Sequence, residues 1–171
     1  MRKSFIFLLF LAGTAESFAQ DITTEYDKNR DYTIYKTFSI GEAEIITPKD
    51  QRKVDDAKIH QWVQNAIISE LTDKGLTKVD TLGDLRVSYI IGSVERSNLQ
   101  SSETGGIGAG VVTRDYEESS FVIDMNDRKN FLIWRVNGIT STNHPNAKTM
   151  IEEVVAKGFK KFSIKPKKKK K

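Results

Sequence analysis

The chain has 171 residues, of which 38% are hydrophobic and 29% charged, with no cysteine and a formal net charge of +4. This composition is too apolar for a disordered chain and too polar for a protein that crosses a membrane several times, and the length suits one domain. The lack of cysteine excludes disulfides, thiolate metal sites, a cysteine nucleophile and a lipidated cysteine.

The first nineteen residues have the three-part pattern of a secretory signal peptide. Residues 2–3 are basic, residues 5–12 are an apolar run, and Ser17 and Ala19 place small side chains before a cleavage site. The run is shorter than the roughly 20 residues that a membrane-spanning helix needs. We therefore expect cleavage between Ala19 and Gln20, a mature chain without a transmembrane segment, and a periplasmic or secreted location.

Two strands are predicted at the start of the mature chain. Short stretches of alternating apolar and polar residues, rich in aromatics, predict a strand near residues 22–27 and a second strand near residues 35–40. The polar residues 28–30 predict a turn between them.

The clearest helix comes next. Thr47 is expected to cap its start, with Pro48 in the first position and Asp50 in an acidic first turn. Apolar residues then recur at spacings of three and four, which place them on one helical face: Ile59, Trp62, Val63, Ala66, Ile67 and Leu71. Gly75 is expected to end this helix because glycine accepts the left-handed conformation there.

The period then changes to the alternation of strands. A long strand is predicted from residue 85 to about residue 96, followed by a serine- and glycine-rich loop over residues 97–110. Residues 121–125 and 131–139 alternate on either side of the polar residues 126–130, which predicts an antiparallel hairpin.

A second helix is expected to close the domain. Pro145 suits its first turn, and residues 147–162 supply an apolar stripe. Gly158 is expected to weaken the last turn, because glycine is a poor helix former.

The order of elements predicts an α+β fold. Two amphipathic helices need cover, and the economical solution is a two-layer sandwich in which a mostly antiparallel sheet of about five strands carries both helices on one face. We expect one domain over residues 20–164 and a disordered, lysine-rich tail over residues 165–171.

Several separated motifs resemble the bacterial envelope proteins grouped as domain of unknown function 4136. That family typically begins with a "YD…DF…YKTY" pattern, which is similar to Tyr26-Asp27 followed by Asp31-Tyr32-Thr33-Ile34-Tyr35-Lys36-Thr37-Phe38. Further matches are Lys74-Gly75-Leu76, Asp84-Leu85-Arg86-Val87-Ser88-Tyr89, and the hairpin from Phe121-Val122-Ile123-Asp124-Met125 to Leu132-Ile133-Trp134-Arg135. Residues 151–162 and Pro166 resemble the closing helix of the family.

This resemblance, over about residues 25–166, implies an α+β domain of the cell envelope. Members of the family are mostly predicted lipoproteins of Gram-negative bacteria with no established activity. A lipoprotein needs a cysteine at its new N-terminus, and this chain has none. The expectation is therefore a periplasmic or secreted relative that is not acylated.

No cofactor or metal site is predicted. Residues 105–110 are rich in glycine, but strand-like residues follow them, whereas a phosphate-binding loop opens a helix. His60 and His144 are the only histidines, and nothing near them in sequence completes the three or four nitrogen or sulfur ligands that zinc needs.

No catalytic residue is predicted either. No serine stands in a Gly-x-Ser-x-Gly motif, and the acidic residues lack the spacing of a calcium-binding loop. Asp55 and Asp56 suit a helix start, and Asp127 suits a turn. Asp124 is expected either to face solvent on the polar side of its strand or to pair with Arg135 across the hairpin.

These observations predict an exported, non-enzymatic binding or assembly module. Its expected partner is an unidentified envelope protein, held by a sheet edge, by the exposed sheet face or by the serine- and glycine-rich loop. The alternative is a carrier that holds a small apolar ligand between the helices and the sheet, which the abundance of aromatic residues would suit.

The lysine run at the end of the chain predicts a weak, salt-sensitive contact with anionic envelope surfaces. Its members are Lys167, Lys168, Lys169, Lys170 and Lys171. A nucleic-acid partner is not expected, because the chain is expected to be exported and the tail has no aromatic residues on which bases could stack.

Overall fold

The computed structural model describes residues 20–101, 111–141 and 146–165. Its helices and strands, in chain order, are β1 (Gln20–Tyr26), β2 (Thr37–Ile45), α1 (Asp56–Asp73), β3 (Thr77–Lys78), β4 (Leu85–Ser101), β5 (Val111–Asp127), β6 (Leu132–Ser141) and α2 (Ala147–Phe159). Short 3₁₀ turns cover Tyr32–Ile34 and Lys49–Gln51. The predicted signal peptide, Ala19 at its cleavage site and the run from Lys167 to Lys171 lie outside the described residues.

The strands form one mixed sheet in the order β1-β6-β5-β4-β2-β3. The pairs β1–β6, β6–β5 and β5–β4 are antiparallel, whereas β2 runs parallel to both β3 and β4. The parallel β2–β4 pair follows from the crossover through α1, which a parallel connection requires. The predicted α+β class is confirmed, with a sixth strand, β3, that is only two residues long.

Both helices cover the same face of this sheet. Residues that are directly paired across strands share a face, and Tyr89, Ile123 and Val136 form one such row. Tyr89 meets His60 of α1, and Val136 packs against Gly158 of α2. Within the described residues, neither helix is long and apolar enough to cross a membrane.

The apolar stripe of α1 faces the sheet, as predicted. Its predicted members are buried or partly buried against the core: Ile59, Trp62, Val63, Ala66, Ile67 and Leu71. Gly75 has a φ of +98°, and just beyond it the N–H of Leu76 donates to the carbonyl of Leu71 at 3.1 Å. This arrangement satisfies a carbonyl at the helix end and confirms the predicted stop at glycine.

The predicted start of α1 is wrong. The segment at Pro48 begins only a short 3₁₀ turn, and α1 begins at Asp56 with Asp55 as its cap; the Asp55 carboxylate accepts a first-turn backbone N–H at 2.9 Å. The Thr47 hydroxyl instead accepts the backbone N–H of Ser93 at 2.8 Å. Thr47 therefore attaches the connection to β4, and Asp55 caps the helix in its place.

The predicted loop over residues 97–110 is wrong in its first part. β4 continues to Ser101, which pairs with Val111 at the start of β5, and residues 102–110 lie outside the described part of the chain. Serine and asparagine have weak strand propensity, but pairing with a neighbouring strand overrides that local preference.

The closing helix α2 is present and continues through Gly158. Asn146 caps it by accepting two first-turn N–H groups, whereas Pro145 lies outside the described residues. A Cβ added to Gly158 would lie 2.4 Å from Cγ1 of Val136, and the indole N–H of Trp134 donates to the Gly158 carbonyl at 3.2 Å. The glycine thus permits a close approach of α2 to β6.

Candidate functional site

The predicted pairing of Asp124 and Arg135 is confirmed. The two residues are directly opposite on β5 and β6, and the guanidinium donates to both carboxylate oxygens at 2.7 and 2.6 Å. Hydrogen bonding to Asp124 and its negative charge outweigh partial burial and raise the pKa of Arg135. This fork geometry neutralises the carboxylate. Asp124 is therefore engaged in a structural ion pair on the face away from the helices.

His60 is a partner for a buried phenol. Its Nδ1 lies 2.9 Å from the Tyr89 hydroxyl, to which the Gln64 amide also donates at 3.4 Å. Burial raises the pKa of Tyr89, and a buried phenol needs such hydrogen-bond partners. His144 lies outside the described residues. Within the described ranges, no three metal-ligating side chains come together.

The face of the sheet opposite the helices carries a group of exposed or partly exposed apolar residues, which we call the outer patch: Ile46, Ile90, Val122 and Ile139. Ile46 belongs to this face because its side chain lies over Gly92 of β4. Ile90 pairs directly with Val122, and Ile139 lies diagonally across from Val122 because it pairs with Ser120. Ile90 and Ile139 are 42% and 48% exposed. A one-sided antiparallel sheet usually presents polar residues to water. The outer patch departs from that rule.

A charged row borders the outer patch. Arg135 sits between Asp124 on β5 and Glu25 on β1. The amide of Asn137 donates to Glu25 at 2.9 Å. The face therefore combines exposed isoleucines with a strip of fixed, paired charges, a composition common to protein contact surfaces.

A two-stranded ribbon projects from the same sheet. Seven residue pairs, from Glu95–Glu117 to Ser101–Val111, join β4 and β5 where neither strand pairs with another described strand. At a rise of about 3.3 Å per residue the ribbon is about 20 Å long. Its two outer edges leave backbone donors and acceptors unpaired within the described part of the chain, and such edges favour pairing with another chain.

At the end of the sheet opposite the ribbon, two carboxylates, those of Asp127 and Asp84, hold the connecting turns in place. Asp127 accepts the N–H groups of Lys129 and Phe131 at 2.9 Å each and the Arg30 guanidinium at 2.7 Å. Although burial opposes the effect, these backbone N–H groups and the Arg30 charge hold the pKa of Asp127 below its usual value. The predicted role of Asp127 in a turn is confirmed.

Asp84 holds a second turn at this end. It accepts the backbone N–H groups of Lys36 and Thr37 at 2.9 and 3.0 Å and pairs with Arg128 at 3.0 Å. Backbone hydrogen bonding from Lys36 is the main cause that lowers the pKa of Asp84. Beside it, Leu82 has a φ of +44° and is 87% exposed, which is a strained conformation for a leucine.

A cavity of about 220 Å³ lies between the sheet and the first turns of the two helices. Apolar side chains from both layers, including Ile59, Phe121 and Met150, line it together with Ser93 and Ser119. The sequence prediction placed an apolar ligand between these layers but missed the serines. Their position in the strand alternation was the available signal, since Ser93 follows the buried Ile91 by two residues and Ser119 precedes the buried Phe121 by two.

Comparison with known proteins identifies the fold. The profile described as Domain of unknown function (DUF4136) matches residues 22–162, and no curated protein matches the sequence.

Among solved structures, PelC, a dodecamer from Paraburkholderia phytofirmans, is 7% identical with a TM-score of 0.55, and the match covers 86% of this chain and 100% of the PelC chain. A DUF4136 family protein from Bacteroides thetaiotaomicron is 13% identical with a TM-score of 0.52 and coverages of 85% and 98%. A PDZ domain protein from Parabacteroides distasonis is 13% identical with a TM-score of 0.53 and coverages of 92% and 39%. Likenesses at these identities show a shared fold.

Proposed function

The chain belongs to the DUF4136 family, whose function is unknown, and from this premise we propose that it is an exported, non-enzymatic protein of the cell envelope that works as a binding or assembly module. Its partner is an envelope protein that covers the outer patch. The signal-peptide pattern of residues 1–19 supports export.

The observation that carries this proposal is the uncovered apolar surface on one side of the sheet. Ile46, Ile90 and Ile139 expose about half of their surface, whereas the other face of the same strands is buried under two helices. Exposed apolar groups rimmed by charge are typical of protein contact sites. Covering them removes apolar surface from water, at about 25 cal/mol for each Å².

The projecting ribbon and the fold neighbours support the same proposal. A two-stranded ribbon is only marginally stable by itself, and a partner strand would satisfy one of its edges. PelC has this fold and is described as a dodecamer. That description concerns PelC, and we propose by analogy that the present chain also uses its fold in an assembly.

The structural roles of the polar residues support a non-enzymatic function. Asp124 is neutralised by Arg135, and Asp84 and Asp127 hold turns through backbone N–H groups. General acid–base catalysis instead needs a carboxylate or imidazole that is poised to exchange a proton with a substrate.

The test is crosslinking in intact cells of the native host, followed by mass spectrometry of the purified complexes. The wild-type chain is expected in a crosslinked species with a protein partner, whether another copy or a different envelope protein. Ile90→Lys combined with Ile139→Lys is expected to abolish that species, because it places two charges in the contact. Far-UV circular dichroism is expected to stay unchanged, since both side chains point to solvent.

The matched control is Ile34→Lys, which makes the same chemical change at an isoleucine that is 61% exposed on a different part of the surface. It is expected to leave the crosslinked species intact. Loss of the complex in this control, with retention in the double variant, would move the contact away from the outer patch. Recovery of the wild-type chain only as an uncomplexed monomer contradicts the assembly function.

Export is tested separately by the mass and the fraction of the native protein. We expect a mass that lacks residues 1–19 in the periplasmic fraction or the medium. A chain that retains Met1 in the cytosolic fraction contradicts the proposed location without bearing on the outer patch.

A further inference from the structure

The cavity between the two layers interrupts an otherwise apolar core. Where β4, β5 and β6 lie under the helices, they present mainly apolar side chains to them, among them Val87, Tyr89, Ile123 and Val136. At the end where both helices begin, this packing gives way to about 220 Å³ of open space. Well-packed cores contain few voids larger than a water molecule, so a space of this size needs an occupant or a solvent connection.

Two hydroxyl residues of the sheet, Ser93 and Ser119, line this space, and Thr140 continues their row on β6. Ser93, Ser119 and Thr140 are directly paired across β4, β5 and β6 and face the helices. Ser119 and Thr140 are only 3% and 1% exposed. Three adjacent hydroxyl residues at helix-facing positions are unusual, because buried polar groups cost free energy unless they are hydrogen-bonded.

The hydroxyls that line the cavity retain unused hydrogen-bonding capacity. The Ser93 and Ser119 oxygens are 3.0 Å apart, so one hydroxyl donates to the other. The second hydroxyl proton has no acceptor among the described residues, and lone pairs of both oxygens remain free. Thr140 differs, because its hydroxyl donates to the sulfur of Met150 at 3.0 Å. The serine pair therefore presents one donor and several acceptor positions.

Two basic residues, Arg52 and Lys53, line the cavity, and each already interacts with other groups of the protein. The Arg52 guanidinium pairs with Asp56 and donates to the backbone carbonyls of Thr47 and Ile45 at 2.7 and 3.0 Å. An anionic ligand would have to compete with Asp56 for this guanidinium, and its charge would meet apolar walls, where an unmatched charge is strongly disfavoured. The surroundings favour a neutral ligand.

We propose that this cavity binds a small neutral amphiphile: an apolar body about the size of one substituted aromatic ring, with a single oxygen function that hydrogen-bonds to Ser93 and Ser119. An apolar protein cavity of about 150 Å³ holds a benzene molecule, and 220 Å³ leaves room for a ring with one or two small substituents. Ile59, Phe121, Met150 and Ile151 contact the ring. This proposal is independent of the assembly function, because the outer patch lies on the other face of the sheet.

The test compares three probes of matched shape: 4-methylphenol, para-xylene and 4-methylbenzoate. Each is titrated into the purified native protein while amide chemical shifts are followed by NMR. We expect 4-methylphenol to bind about fivefold more tightly than para-xylene, because one added hydrogen bond contributes about that factor. We expect 4-methylbenzoate to bind least. The shifts should concentrate at residues 91–93, 119–121 and 147–151.

Two variants make the assignment specific. Ser93→Ala combined with Ser119→Ala is expected to reduce 4-methylphenol binding to the level of para-xylene while leaving para-xylene binding intact. Both hydroxyl partners are removed together, so the variant leaves no orphaned polar group and is expected to fold. Ser120→Ala is the matched control: it alters the neighbouring serine on the opposite face and is expected to leave all three affinities unchanged.

Equal binding of 4-methylphenol and para-xylene would overturn the role of the serines. Tightest binding of 4-methylbenzoate would overturn the neutral character of the ligand. No binding of any probe, or shifts confined to other residues, would overturn the proposal that the cavity binds such a ligand. Each of these results leaves the crosslinking outcome for the outer patch unaffected.

Discussion

The two faces of one sheet differ in what covers the side chains of the same strands. On β4, Tyr89 and Ile91 are buried against the helices, whereas Ile90 between them points to solvent. The helix-facing side chains pack into a closed core that stabilises the fold. The outer side chains are exposed, so we expect them to contribute little to folding, and we propose that a partner covers them. A substitution therefore has different consequences on the two faces, and this difference is measurable.

The largest expected effect is the loss of Trp134, on the helix-facing side. Its ring stacks on Tyr26 with centroids 4.1 Å apart, meets Phe162 edge-on at 5.4 Å, and its N–H bonds to Gly158. Trp134→Ala should lower the free energy of unfolding by about 3–5 kcal/mol, because it leaves a large cavity. Urea-induced unfolding followed by circular dichroism measures the change.

The control for Trp134 is Ile139→Ala on the same strand but on the outer face. It is expected to change the free energy of unfolding by no more than about 0.5 kcal/mol. Comparable losses at the two positions would mean that the outer patch is part of the folding core.

The next largest effect concerns the contact between α2 and β6. Gly158→Ala should destabilise the protein by about 1–3 kcal/mol through overpacking against Val136, although alanine is the better helix former by about 1 kcal/mol. Thermal unfolding of Gly158→Ala, of Val136→Ala and of the double variant, each compared with wild type, forms a double-mutant cycle. We expect Val136→Ala to relieve the clash, so strictly additive effects would contradict the proposed close approach.

A smaller effect is expected from the ion pair on the outer face. Asp124→Asn removes a charge-assisted fork to Arg135, and partly exposed pairs contribute about 1 kcal/mol or less. The difference from wild type should shrink in 1 M salt, because salt screens exposed charges. Glu42→Gln, which affects a more exposed pair with Arg86, is the control and should have no measurable effect at any salt concentration.

The last expected effect is a loss of stability in acid at the end of the sheet that Asp84 and Asp127 hold. Both carboxyl groups have a pKa lowered in the folded protein, so the unfolded state binds protons first as the pH falls. The stabilisation is complete above the unfolded pKa of about 4 and is lost as the pH falls through the lower folded values. Unfolding free energies measured between pH 7 and pH 2 should show this decline.

Asp84→Asn combined with Asp127→Asn should flatten that acid dependence. The double variant is expected to be less stable than wild type at pH 7 and to differ less from it in acid. An identical pH slope in both proteins would contradict the assigned hydrogen-bonding roles of the two carboxylates.

Most of the fold was predictable where the pattern is local. The spacing from Ile59 to Leu71 predicted the buried face of α1, and Gly75 predicted its end. The pairing of Asp124 with Arg135 was predictable because the hairpin fixes which residues are opposite. These inferences need only the repeat at which a helix or strand buries its side chains and the position of one short turn.

The errors fall where distant segments compete with local preference. Thr47 has the chemistry of a helix cap, but the backbone N–H of Ser93 takes its hydroxyl. Ser101 belongs to a loop by composition, yet Val111 pairs with it in a strand. In both cases a contact with another segment of the chain outweighs a weak local propensity.

The amino-acid sequence by itself determined the spacing of apolar residues and the residues at which helices end. These two features give the α+β class, because helices and strands bury their apolar faces at fixed spacings. Only the tertiary structure decided that β2 runs parallel to β4, that α2 approaches β6 at Gly158, and that Ser93 and Ser119 meet in a cavity. These features depend on which faces are brought together when the layers pack. A contact between residues distant in sequence leaves no repeating trace along the chain.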